Sequence, residues 1–419
     1  MARTIRAVGQ RPPRALRAAN LVAGCVRRVR PSFGRLDVDD LCERATVAAG
    51  LDDFGSDEFR EPLSVLVGSL ESDAQLTPAG RLFARGALEH ALENRLHLQA
   101  DWKANPEILD VRIAAPTYVI GLPRTGTTLL QNLLALDPGH RNLLGWEAAT
   151  PSPPPTAATY ASDPRIAAAA RTTRLLDYLA PEARRLHPVG PTMPTECVTL
   201  FVNSCASLET TTINQVWGYL DWCLGADYRP HYDYYHRQLQ LLQWRNDRGR
   251  WLLKSPAHLF WVDRLIETFP DARIVQTHRD PVEAVLSYCS LAAVLHRIGS
   301  DHVDHARLGA VWPAVWAEGL ERSARARDTG ALRVFDCHYS ALVADPVATV
   351  EAISRFFDDE CSPTFVSAMR DWLRAHPQHA GGVHTYEASD FGIDLATEHD
   401  RFAAYRERFD VAAERGGAR

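Results

Sequence analysis

A short apolar run, Thr117 to Ile120, passes directly into Gly121-Leu122-Pro123-Arg124-Thr125-Gly126-Thr127-Thr128 and then into the helix-period stretch Leu129 to Leu136. Two glycines five positions apart between a strand and a helix let the backbone curl so that successive amide N–H groups face one concavity. The helix adds its unpaired N–H groups and positive dipole end to the same concavity, making a nest for a tetrahedral anion. A nucleoside-triphosphatase loop would carry a lysine after the second glycine to reach the outer phosphates. Thr127 stands there instead, and Arg124 rises on the near side of the loop. A triphosphate with Mg²⁺ is therefore disfavoured against a metal-free anion of another kind.

The rest of the chain supplies the partners such a unit needs. Short apolar runs at Trp251 to Leu253, Ala272 to Thr277 and Leu332 to Phe335 alternate with helix-period segments at Ala257 to Phe269, Val282 to Leu295 and Pro346 to Phe357. That alternation predicts an α/β fold, a P-loop-type three-layer arrangement of helices around a central parallel sheet. Residues 1–35 read as a basic arm, 36–115 as a helical N-terminal module, 116–395 as the α/β domain and 396–419 as a C-terminal helix or tail. Within the α/β domain, residues 151–245 read as a helical lid insertion over the carboxyl edge of the sheet. Its aromatics Trp217, Tyr219, Trp222, Tyr228, Tyr232, Tyr234, Tyr235 and Trp244 either wall an acceptor pocket or form ordinary core.

Charge and cysteine usage narrow the class. The net charge of −6 conceals nine arginines and no acidic residue in the first 35 positions, which leaves −15 on the remainder. The arm is either a solvated tail or a contact to anionic lipid or nucleic acid; of these contacts a peripheral one to a membrane is the expected alternative, and no nucleic-acid partner is expected. The eight cysteines form no CxxC pair or cluster, so neither a zinc site nor a disulfide framework is indicated, and a cytoplasmic setting is expected. No apolar run approaches the ~18 residues of a membrane span. Lysine occurs only at Lys103 and Lys254. In a chain that uses arginine almost everywhere else, each lysine points to a task for a compact, rotatable ammonium.

The loop Gly121 to Leu130 resembles the 5′-phosphosulfate loop of the PAPS-dependent sulfotransferases, in particular the branch with Pro-Arg-Ser/Thr-Gly-Thr-Thr. That branch includes bacterial sulfotransferase-family proteins and the tyrosylprotein sulfotransferases. Arg279-Asp280-Pro281 followed by Ser287 is similar to the family's 3′-phosphate signature. Trp251-Leu252-Leu253-Lys254-Ser255-Pro256 is similar to its strand with Lys-Ser/Asp-Pro, and Tyr339 with Leu342 to its Tyr-x-x-Leu segment. The stretch Gly382 to Gly392, with His384, Tyr386 and Asp390, looks like its closing loop. The resemblance implies PAPS as co-substrate, held by Arg124, Thr125, Gly126, Thr127, Thr128, Arg279, Ser287 and Tyr339, with no metal. Independently of the resemblance, two anion sites on neighbouring strands suit a ligand with two separated anionic ends.

Sulfuryl transfer needs donor and acceptor in line, spreading charge stabilised, and the acceptor proton removed. Arg124 and Lys254 are the candidates for charge stabilisation. The resemblance makes Glu147, in Gly145-Trp146-Glu147, the leading general base, with Glu196 and His258 as rivals. The expected activity is transfer of a sulfuryl group to a hydroxyl of a small molecule, lipid or glycan. A P-loop kinase or nucleotide-binding enzyme and a non-catalytic nucleotide-binding protein are the alternatives, while acceptor identity and oligomeric state are not legible.

Overall fold

The computed structural model describes residues 4–6, 14–30, 34–179, 181–182, 188–330, 332–377 and 383–414. Its centre is a five-stranded, wholly parallel sheet built from β2 (Thr117–Gly121), β3 (His140–Asn142), β4 (Arg250–Lys254), β5 (Arg273–His278) and β6 (Val334–His338). The spatial order is β3-β4-β2-β5-β6. The Gly-loop strand β2 is thus central, pairing Thr117 with Leu252 of β4 and with Arg273 of β5. Every residue of β2 is buried, as expected of a strand covered on both faces. A separate parallel pair joins β1 (Thr4–Arg6) to β7 (Val383–Thr385).

Before the sheet come α1 (Arg14–Val29), α2 (Val38–Ala49), α3 (Arg60–Ser72) and α4 (Pro78–Ala104). The basic arm is therefore in part a helix, with Leu16 and Ala23 buried and Asn20 accepting the Ala79 N–H at 3.0 Å. Then follow α5 (Thr127–Leu134), α6 (Gly145–Ala149), α7 (Pro164–Leu179), α8 (Glu209–Ile213), α9 (Trp217–Gly225), α10 (Arg229–Trp244) and α11 (Val262–Thr268). The chain continues through α12 (Pro281–Gly299), α13 (His305–Asp328), α14 (Tyr339–Ala344), α15 (Pro346–Phe356) and α16 (Pro363–Ala375) to α17 (Leu395–Arg401) and α18 (Ala403–Arg408). Several helices start by one device, a capping oxygen followed by proline. Thr77, Asp280, Asp345 and Ser362 each accept a backbone N–H of the first turn, and proline comes next. Proline's missing donor costs nothing there, and its fixed φ suits the helix.

Two apolar layers flank the sheet. One is formed on Val119, Leu252 and Val275 by Leu130, Leu133 and Leu134 of α5 with Val350, Ile353 and Met369. The other, much larger, joins Tyr118, Leu253 and Ile274 to the N-terminal helices and to the aromatics of α9 and α10. Helix α12 is long and apolar enough in composition to cross a bilayer, but 78% of that stretch is buried inside the protein, making it a core helix.

Candidate active site

The loop after β2 takes its shape from backbone that side chains would obstruct. Gly121 has φ +134°, and a Cβ on it would lie 2.2 Å from Thr277 Oγ1 on β5. Gly126, φ +86°, precedes α5 and lies against Tyr339 and Leu342, where a Cβ would come within 3.1 Å of the Tyr339 ring and 3.0 Å of Leu342. Between them Arg124 adopts φ +70°, a left-handed conformation unusual for a side-chain-bearing residue. Thr125 turns inward, its hydroxyl donating to Leu122 O at 2.6 Å and meeting Thr277 Oγ1 at 2.6 Å. Its side chain therefore braces the loop, while Arg124, Gly126, Thr127 and Thr128 line the cavity in front of α5.

Four expected cofactor residues converge beside this loop. Arg124 Nε donates to Ser287 Oγ at 3.1 Å, joining the loop to the second turn of α12. Arg279, at the end of β5, donates from Nη1 to Arg124 O at 3.0 Å, and its guanidinium lies 4.5 Å from the centre of the Tyr339 ring. The same guanidinium grips Glu414 in a fork, Nε to Oε1 and Nη2 to Oε2 both at 2.7 Å. Burial opposes the charge on Arg279, but the Glu414 carboxylate outweighs it and raises its pKa. Burial lowers the pKa of Arg124; nearby Tyr386 works against that shift and Arg279 adds to it. Tyr386, from the expected closing loop, also hydrogen-bonds Glu283 of α12 at 3.4 Å. Gly382 lies outside the described residues, as does the His384 side chain.

The three candidate bases are separated by the fold. Glu147 is not in this cavity: it is fully buried in an ion pair with Arg141 (2.8 Å), and it accepts hydrogen bonds from Tyr160 (2.8 Å) and the Leu144 N–H (3.2 Å). The expectation for Glu147 is therefore corrected, because a carboxylate with its oxygens committed to a buried arginine, a phenol and a helix N-terminus cannot reach an acceptor. His258 is also misplaced for the role, since Tyr232 (2.6 Å) and Cys197 (3.2 Å) occupy both ring nitrogens and burial lowers its pKa to about 3. Glu196 alone of the three lines the cavity. Its oxygen Oε1 lies 2.6 Å from Lys254 Nζ at the end of β4. The neighbouring backbone is fixed by Thr195 N–H to Leu143 O (2.9 Å) and Gln131 Nε2 to Thr195 O (3.2 Å), the latter from the loop helix itself. Lys254, with its side chain only 2% exposed, stands behind Glu196 instead of facing the cavity.

The cavity, about 1060 Å³, runs from the Gly-rich loop past Glu196 to α8, α12 and α13. The lid aromatics singled out in the sequence are not its wall. Tyr219, Tyr228, Tyr232 and Tyr235 are buried in the core, where Tyr235 stacks on Phe201, Tyr219 on Trp222, and Tyr232 lies tilted against His258. The aromatic wall comes instead from Tyr288, Trp312 and Trp316, with Trp372 at the other side. Sequence reasoning missed these residues and Glu209; helix periodicity marks α12 and α13 as core-facing without telling core from cavity. Among the described residues no group of three His, Cys, Asp or Glu side chains could hold a metal ion.

The profile of the sulfotransferase family matches residues 116–363. Sulfotransferase STF1 of Mycobacterium tuberculosis H37Rv is 36% identical over 89% of this chain and 100% of its own, with a TM-score of 0.76. Sulfotransferase STF9 of Mycobacterium avium is 30% identical over 90% of this chain and 97% of its own, with a TM-score of 0.83. No curated protein matches the chain.

Proposed function

Because this chain belongs to the sulfotransferase family, we propose that it transfers a sulfuryl group from PAPS to an acceptor hydroxyl, with Glu196 as general base. The observation that carries the proposal is the convergence of Arg124, Ser287 and Arg279 beside the loop, with Glu196 lining the same cavity. The fit to PAPS rests on two cationic stations. The loop amides and Arg124 suit a 5′-phosphosulfate, and the Arg279 fork with Ser287 suits a 3′-phosphate. PAPS would supply an activated sulfuryl group on a good leaving group.

The chain's own residues account for the remaining steps. Glu196 accepts the acceptor proton as the acceptor oxygen bonds to sulfur, and the sulfur–oxygen bond to the bisphosphate breaks. Arg124 and the amides at the start of α5 take up the charge that moves onto the leaving oxygen. Lys254 holds the Glu196 carboxylate in one position. Thr127 keeps the loop short of the cation that a triphosphate requires. The test is release of adenosine 3′,5′-bisphosphate from PAPS in step with appearance of a sulfated acceptor, which Glu196→Gln should slow by orders of magnitude while nucleotide binding persists.

A further inference from the structure

The cavity divides into two chemistries, and the division lies along a single helix. On α12, Ser287, Leu291, Leu295 and Ile298 fall at spacings of four, four and three, so they share one face. Ser287 bonds Arg124 at the anion loop, and the three apolar residues line the cavity beyond it. Eleven residues at 1.5 Å each carry that face about 16 Å away from the loop. Leu291 and Leu295 belong, with the buried Val294, to a small cluster separate from both main cores, and both line the cavity. Facing them are Leu208, Trp312 and Trp316.

Few polar groups on this side are available to a ligand. Thr211 donates to Leu208 O at 2.7 Å, and Thr212 pairs with Tyr288 Oη at 2.9 Å. Glu209 has one oxygen, Oε2, without a hydrogen-bond partner among the described residues, and burial raises its pKa to about 7. The apolar character continues to the surface, where Leu176, Val189 and Ile213 line the cavity and are each at least 40% exposed. A volume of about 1060 Å³ exceeds the upper end of the usual range for one small ligand, roughly 1,000 Å³, and leaves room for a second body beside a nucleotide.

Resting on the proposed sulfuryl transfer, we infer that the acceptor is an amphiphile: a hydroxyl presented to Glu196 on an elongated apolar body that fills the chamber between α8, α12 and α13. A glycan fits these walls poorly, because beyond the unpartnered Glu209 Oε2 and the indole N–H groups of Trp312 and Trp316 most of its hydroxyls would lose water against leucine and isoleucine without a replacement partner. An alkyl or fused-ring body gains from every methylene it buries there, roughly fourfold in affinity per CH₂.

The test is kcat/KM for PAPS-dependent sulfation of butanol, hexanol and dodecanol, with trehalose as the polar comparison, on the wild type and on Leu295→Phe and Ile298→Glu. Adenosine 3′,5′-bisphosphate affinity serves as the fold check. The inference expects at least a tenfold rise from butanol to dodecanol, lost in both variants, and no use of trehalose. A flat series, or trehalose turned over faster than dodecanol, overturns it. If no acceptor is sulfated, the reading as a PAPS enzyme fails separately. Quenching of indole fluorescence by dodecanol then decides the inference alone: a saturable change weakened by Ile298→Glu upholds the chamber, and no change overturns it.

Discussion

Lys254 Nζ meets Glu196 Oε1 at 2.6 Å, joining the carboxyl end of β4 to the segment that lies over the loop helix. Of the two lysines in the chain, this one sits where a compact ammonium can pair with a carboxylate and stay buried. Glu196→Gln should lower turnover by about 10²–10⁴-fold, the usual worth of general-base catalysis. Adenosine 3′,5′-bisphosphate affinity should stay within about twofold, measured by calorimetry alongside the kinetic assay.

Glu147→Gln separates the two carboxylates. It removes the charge partner of a fully buried Arg141, so the expected loss is in stability, about 3–5 kcal/mol for an ion pair broken from one side. Denaturant unfolding measures it. A stable Glu147→Gln protein inactive through chemistry alone would contradict the assignment of the base to Glu196.

Arg279 and Glu414 form a bidentate pair whose fork is the one a 3′-phosphate would use, and Glu414 also donates its N–H to Asp280 Oδ2 at 2.7 Å. Glu414→Ala should therefore raise adenosine 3′,5′-bisphosphate affinity several-fold by removing a competing carboxylate. Arg279→Ala should lower it by about ten- to a hundredfold, the worth of one or two charge-assisted hydrogen bonds. Isothermal titration of both variants checks the pair, and a Glu414→Ala protein that binds more weakly would refute the competition.

Protonation couples to stability with opposite signs at different groups. Burial lowers His258 to about 3 and His231 and His296 to about 4, from an ordinary 6.5. The unfolded chain therefore binds more protons in that interval, so their contribution is complete above pH 6.5 and is lost as pH falls towards 4 and below. Glu209 runs the other way: raised from 4.5 to about 7, it contributes below pH 4.5, and that contribution is lost as pH rises through 7. Glu209→Gln should stabilise the protein by on the order of 1–2 kcal/mol at pH 8 and by little at pH 5, in chemical unfolding at the two pH values.

Much of this architecture was legible because it is local. The Gly-rich turn, the Arg279 to Ser287 spacing and four of the five strands of the main sheet each occupy a few consecutive residues whose pattern carries the geometry. Strand β3, His140–Asn142, was not legible, since three polar residues at a sheet edge lack an apolar run. The choice between wall and core for the lid aromatics was not legible for a different reason. Composition marks Tyr232 and Tyr235 as large amphipathic groups, but only tertiary packing shows that the hydroxyl of Tyr232 is satisfied by His258 and that of Tyr235 by Tyr118 inside the core. The choice between Glu147 and Glu196 likewise depended on a buried arginine six residues before one and a lysine 58 residues after the other.

Gly121→Ala tests the loop itself. The added methyl would sit 2.2 Å from Thr277 Oγ1 and 2.7 Å from Thr277 O at a φ of +134°, so β2 and β5 would have to separate. The expected cost is about 2–4 kcal/mol of stability, together with loss of nucleotide binding, measured by unfolding and titration.

Calorimetric titration of the wild-type protein with adenosine 3′,5′-bisphosphate and, separately, with ATP and Mg²⁺ decides whether this cavity is a sulfuryl-donor site. A PAPS enzyme binds the bisphosphate tightly, loses that binding in Arg279→Ala, and binds ATP weakly or not at all. ATP binding that requires Mg²⁺, or bisphosphate binding indifferent to Arg279, would contradict that assignment.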